Sequence, residues 1–132
     1  MLGGMNVVPY VSAGGIAFGS SAASVEALLG PAQRTSTDRL GRLQLQFSEL
    51  KVALKEGVVA EVTANCPTIT VGAAAIPFQN LEYFLRRNDA DAFEAVGFTV
   101  SPAYGVSVDP HFPSWVCVFA RQELAAWMKH AD

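Results

Sequence analysis

The sequence predicts an α+β domain in which helices pack on one face of an antiparallel sheet. Three observations carry this. Apolar–polar alternation runs through Leu43, Leu45 and Phe47, then through Leu50 to Lys55, then through Val58 to Thr63, with only turn-length gaps between. An apolar helical stripe of Val25, Leu28 and Leu29 lies just upstream. With 132 residues, 51% of them hydrophobic, the chain is the size of one domain and has material for one core.

Along the chain, residues 1–15 read as a lead-in with a short strand at Val7 to Val11. Ser20 or Ser21 is a helix cap, Val25, Leu28 and Leu29 form the inward face, and Gly30-Pro31 stops the helix. Residues 32–41 read as polar turn. Arg42 to Phe47 is a half-buried strand, Ser48-Glu49 a turn, Leu50 to Lys55 a second strand, Glu56-Gly57 a turn, and Val58 to Thr63 a third. The second half runs similarly. Ile76-Pro77-Phe78 echoes Ile16-Ala17-Phe18, and a helix follows with Leu81, Phe84 and Leu85 on one face. Asp89 then reads as the cap of a short helix carrying Phe93 and Val96 and ended by Gly97. Strands are expected at Phe98 to Val100, Tyr104 to Val108 and Trp115 to Phe119. A last helix is expected from Gln122 to Lys129, with Leu124, Trp127 and Met128 inward. Residues 16–63 and 76–120 therefore read as two tandem half-repeats, or as two uses of a common helix-then-meander arrangement.

Charge narrows the partners. Nine basic and twelve acidic residues leave −3, and Arg86-Arg87 suits a helix C-terminus better than a phosphate backbone. Nucleic acid is not expected, nor is a membrane, since no apolar run is long enough to span one. The N-terminal residues lack a secretory pattern, and a cytoplasmic location is expected. Charged residues are only 16%, which leaves apolar surface for a partner to cover.

The run Gly19-Ser20-Ser21, Val25, Leu29-Gly30-Pro31, a polar gap, a meander, and then Gly57-Val58-Val59-Ala60-Glu61-Val62 resembles a known pattern. It is similar to the small module of the SmpA/OmlA outer-membrane assembly lipoproteins and of the β-lactamase inhibitory proteins. The resemblance covers residues 16–63. It implies a helix-plus-meander fold that binds proteins through its sheet or loops and does no chemistry. Three departures stand out: Gly30 and Pro31 are adjacent, Leu43 or Leu45 replaces an aromatic residue on the first meander strand, and no lipobox cysteine is present. Membrane anchoring does not carry over.

Catalytic patterns are sparse. There is no Gly-x-Ser-x-Gly, and the two histidines are His111, in a proline-bracketed loop, and His130, near the C-terminus. Cys117 lies in the apolar run Trp115 to Phe119, which disfavours a thiolate and hence a Cys117–His111 pair. The spacing of Cys66 and Cys117 leaves a disulfide between them open. Asp89, Asp91, Glu94, Asp109 and His111 are too loose a set for a metal. No cofactor or metal is expected, and no enzymatic activity.

The segment Asp109-Pro110-His111-Phe112-Pro113-Ser114-Trp115 is the strongest binding candidate. Its prolines lower the entropy lost on docking, and its aromatic residues suit an interface. His111, Phe112, Trp115, Asp109 and nearby Tyr104 are the expected partner-binding residues. The expected function is a non-catalytic protein-binding module of the inhibitor or immunity type. A small-molecule-binding or enzymatic domain with a pocket between helices and sheet is one alternative. A homodimeric structural subunit is another.

Overall fold

The computed structural model describes residues 3–112 and 114–132. It is a mixed α+β structure in which strands dominate. Strand β1 (Met5–Val8) is followed by β2 (Ser12–Ala13), β3 (Ile16–Ala17) and helix α1 (Ala22–Leu29). Strands β4 (Arg34–Thr37), β5 (Leu43–Gln46), β6 (Leu50–Lys55) and β7 (Val58–Asn65) form a meander. The second half repeats the order: β8 (Thr68–Val71) and β9 (Ala74–Pro77) make a hairpin, α2 (Phe78–Asn88) follows, and β10 (Phe93–Ala95), β11 (Phe98–Ser101), β12 (Val106–Val108) and β13 (Trp115–Phe119) make another meander. A short 3-10 helix at Arg121–Glu123 leads into α3 (Leu124–Lys129).

The two meanders join through their last strands. β13 pairs antiparallel with β7, Val118 opposite Val62 and Cys117 opposite Thr63, which gives an eight-stranded sheet in the order β10-β11-β12-β13-β7-β6-β5-β4. The remaining strands form a five-stranded sheet in the order β3-β2-β1-β8-β9, with β1 and β8 parallel. Alternation divides the large sheet into two faces. One face carries Leu45, Val52, Val62, Val118 and Val106 in a row across the register. This row belongs to a single buried cluster with Val7 and Ile69 of the small sheet, Val25 of α1, and Leu81 and Leu85 of α2. The core thus lies between the two sheets and draws on both halves. Ile16 and Ile76 are buried in it, with Phe18 and Phe78 packed against it, so the echoed tripeptides occupy matching places at the end of each hairpin.

Several local forms follow the sequence. Ser21 caps α1, its hydroxyl accepting from the Ser24 amide at 3.2 Å. Gly30 has φ 87° and donates its N–H to the Glu26 carbonyl at 2.8 Å, in a conformation open to glycine. Gly105 (φ +64°) is required twice over, because a Cβ there would lie 3.1 Å from the Tyr10 ring and 3.2 Å from the Phe119 carbonyl.

Other expectations change. The helices do not all lie on one face. Trp127 of α3 packs on Phe98 and Phe119 (centroids 5.3 and 6.0 Å), and Phe119 points away from the core-facing Val118. The short helix expected after Asp89 is a turn and strand β10. The Asp89 carboxylate accepts from Ser101 Oγ (2.7 Å), the Ala103 amide (2.9 Å) and the Asp91 amide (2.9 Å), and Phe93 pairs with Val100. The polar stretch after α1 contains strand β4, exposed along its whole length. Strands β8 and β9 were not expected. The Tyr104 to Val108 strand begins only at Val106, and Met128 is exposed.

Burial pushes the Asp89 carboxyl up, but its three hydrogen bonds outweigh this and hold it below its ordinary value. A depressed folded value stabilises above the unfolded pKa, and that stability is lost as pH falls through the folded one. Asp89→Ala is expected to lower the urea-unfolding free energy by about 2–3 kcal/mol at pH 7, with a shallower loss of stability on acidification than the parent chain.

Candidate functional site

The second face of the eight-stranded sheet is only partly covered. Over β10 to β13 it carries a small cluster of Ala95, Val100 and Phe119 under Trp127 and Leu124. Over β4 to β7 it presents Gln44, Gln46, Lys51, Ala53, Glu61 and Thr63 to an open hollow of about 310 Å³. Lys51 and Thr63 also line a neighbouring cleft of about 390 Å³ walled by Phe98, Phe112 and Trp115, with Cys117 at its buried floor. Glu61 also lines a third hollow of about 530 Å³, beside Arg42, Glu123 and Trp127. Glu61, Lys51 and Thr63 stand between neighbouring hollows, so the three adjoin one another on this face and lie on both sides of the seam between the meanders.

The aromatic end is shaped by Asp109, Phe112 and Trp115. Asp109 Oδ1 accepts from the His111 amide at 2.9 Å, and the Phe112 amide donates to the Asp109 carbonyl at 3.0 Å. This tight loop leaves Phe112 59% exposed. Trp115 is half-buried, with Lys51 Nζ 5.7 Å from its ring centroid, a cation–π contact. The structure therefore brings Asp109, Phe112 and Trp115 together. His111 projects outward, its side chain 93% exposed and its Nδ1 3.6 Å from Asp109 Oδ1. Tyr104 is elsewhere, packed on Phe84 of α2 (centroids 5.4 Å) against the core. Pro113 lies outside the described residues.

The other end is electrostatic. Arg42 Nε lies 2.8 Å from Asp38 Oδ2, and its Nη1 lies 3.2 Å from Glu61 Oε1 and 3.5 Å from Glu123 Oε1. Lys55 Nζ reaches Glu123 Oε2 at 4.0 Å. The two carboxylates nearest Arg42 shift oppositely. Asp38 resists its partial desolvation through hydrogen bonds from Arg42, Gln44 and the Leu40 amide, and is held down to about 2. Burial raises Glu61 and the Glu123 charge adds to it, more than Arg42 offsets. One guanidinium thus serves three acids, and Glu61 is the one left under-compensated. Sequence reading missed Arg42, Lys51, Glu61 and Thr63 as site residues; only strand register places them together.

Neither cysteine is poised for chemistry. Both are buried and free of disulfide. Burial pushes the Cys66 thiol up to about 11 and raises that of Cys117 further. Among the described residues no group of three or more His, Cys, Asp or Glu is placed to hold a metal ion, and no helix is long and apolar enough to cross a membrane.

Two hairpin tips rim the third hollow with apolar residues. Leu40 is 79% exposed and Val96 is 65% exposed. Val96 has φ 46°, a region that costs a β-branched residue about 1–3 kcal/mol and that asparagine or glycine would enter easily.

Comparison with protein-family models, curated proteins and solved structures returned no match.

Val96→Asn is expected to raise the unfolding free energy by about 1 kcal/mol in urea denaturation. Arg42→Met is expected to lower it by about 3 kcal/mol at pH 7, because Glu61 and Glu123 lose their shared cation. Glu61 has a raised folded value, so its penalty is absent when it is protonated and grows as pH rises from its unfolded to its folded pKa. The Arg42→Met deficit should therefore shrink on acidification toward pH 4.

Proposed function

We propose that the chain is a non-catalytic protein-binding module that grips its partner with the open face of the eight-stranded sheet. The observation that carries this reading is the row of adjoining hollows between the aromatic residues and α3. It offers Phe112 and Trp115 at one end and a charged network with exposed Leu40 and Val96 at the other. Exposed aromatic anchors beside a polar, partly charged floor are the composition of a binding surface. The inhibitor or immunity type is the form suggested by the sequence resemblance over residues 16–63. The net charge of −3 and the low share of charged residues, 16%, support it as well, since an acidic inhibitor suits a basic partner surface. In this form the Phe112–Trp115 loop enters a cavity of the partner while the sheet face supports it.

The test begins with the tagged chain as bait in an extract of its native cells and continues with purified bait and prey. Phe112→Ala and Lys51→Glu are each expected to weaken the complex at least tenfold, about 1.4 kcal/mol, without altering the melting temperature by more than a few degrees. Tyr83→Ala, a change at an exposed residue of α2 on the other side of the large sheet, is expected to leave affinity unchanged. Equal binding by the Phe112 and Lys51 variants would remove the sheet face from consideration.

A further inference from the structure

An eight-stranded open sheet has two edges, and they are treated differently here. The β10 edge is closed by the chain itself: Ala95 bridges to Ala131, and the Asp132 amide donates to the Glu94 carbonyl at 2.8 Å. The β4 edge pairs only with β5, and Arg34, Thr35, Ser36 and Thr37 are all exposed. Bare edges with good strand formers invite pairing unless blocked by proline, a charge or a bulge. From Thr35 to Thr37 β4 has none of these, while at its start Arg34 is charged and the Gln33 amide donates to the Gln46 carbonyl at 2.9 Å, so that Gln33 and Arg34 both face Gln46.

Hydrogen-bond parity fixes which groups are on offer. Arg34 lies opposite Gln46 and Ser36 opposite Gln44, and the Asp38 amide donates to the Arg42 carbonyl at 3.0 Å. From Arg34 to Asp38 the even-numbered residues therefore turn their backbone groups toward β5, and Thr35 and Thr37 turn theirs outward. The alternation breaks only upstream, at the Gln33 amide. The segment Arg34-Thr35-Ser36-Thr37-Asp38 is also self-complementary when read against its own reverse. A two-fold axis through Ser36 puts Thr35 opposite Thr37 of the second copy, so the outward N–H and C=O groups of both threonines find partners. It also sets Arg34 opposite Asp38 at both ends. Centring on Thr35 or Thr37 keeps the parity but leaves Arg34 facing no carboxylate. Among the described residues Arg34 has no ion pair; Asp38 is already paired with Arg42 at 2.8 Å and bonded by Gln44, so Arg34 of a second copy adds an outer cation to a carboxylate held in place by its own chain.

We propose that β4 is a homodimerisation edge, at which a second copy of this chain pairs antiparallel about Ser36. Such an axis stands perpendicular to the sheet, so the open faces of both copies look the same way and present two clefts to a partner. A single short edge buries less than the roughly 1,000 Å² of a stable interface, so the dimer is weak, with a dissociation constant on the order of 10–100 µM. This interface does not depend on the open-face reading.

The test is sedimentation of the full chain from about 5 µM to about 1 mM, with amide exchange at both ends of that range. The mass is expected to rise from one chain to two, with protection of the Thr35 and Thr37 amides rising alongside. Ser36→Lys sets two lysines against each other at the axis. Thr35→Pro removes an outward donor that β5 does not use. Each is expected to move the transition at least tenfold upward in concentration, with the circular dichroism of the parent chain. Ser36→Lys, on an exposed position, decides the matter even where the proline variant folds poorly. A parent chain of single mass throughout, or a dimer undisturbed by Ser36→Lys, would overturn the proposal.

Discussion

The antiparallel pairing of β7 with β13 is the contact on which the rest of the structure depends. Five register pairs, from Trp115 opposite Asn65 to Phe119 opposite Glu61, join two four-stranded meanders into one sheet. Beyond the ladder, the Ala120 amide donates to the Ala60 carbonyl and the Cys66 amide to the Ser114 carbonyl, both at 2.8 Å. On the core side the seam sets Val118 against Val62 and Val116 against Ala64, all fully buried. On the other side it sets Cys117 beside Thr63 and Phe119 beside Glu61, which brings the hollow under the aromatic residues next to those of the Arg42 network. The parallel pairing of β1 with β8 ties the halves together a second time, on the far side of the core they share.

How the two faces are used follows from side-chain chemistry. The valine-rich face is covered by the small sheet, α1 and α2, and each fully buried valine there contributes about 1.5–3 kcal/mol from leaving water. The other face carries glutamines, a lysine, a threonine and ion-paired acids over β4 to β7, groups too costly to bury without partners. Only over β10 to β13 does it turn apolar, and there Trp127 and Leu124 cover it. The half-covered state is therefore written into the strands. The strained Val96 and the exposed Leu40 and Phe112 stand at the rim of the uncovered part, their apolar surface open to solvent.

Local signals were legible in the sequence where one residue type answers one backbone demand. Ser21 and Gly30 delimit α1 as expected, and Glu56-Gly57 turns the β6–β7 hairpin with φ of 53° and 83°. The aromatic loop stood out because prolines bracket Phe112. Signals failed where tertiary context decides. Phe93 and Val96 have helical spacing, yet the Asp89 carboxylate is engaged by Ser101 and Ala103 from the following hairpin. Nothing in a valine announces a positive φ. Strand β4 has no buried side chain, so alternation could not reveal it; β5 holds it in place through the backbone. Thr68 to Val71 does alternate, but over only four residues between Pro67 and Gly72. Half of the cleft was invisible for a related reason. Arg42, Lys51, Glu61 and Thr63 are ordinary strand residues until the register aligns them.

If the seam makes one cooperative sheet, native-state amide exchange should show it directly. The amides of β7 and β13, with their neighbours β6 and β12, are expected to exchange only by global opening, sharing one free energy and one denaturant dependence. Two separate free energies, one for each meander, would mean that the halves open independently, and a cleft spanning them could not be a standing feature of the protein.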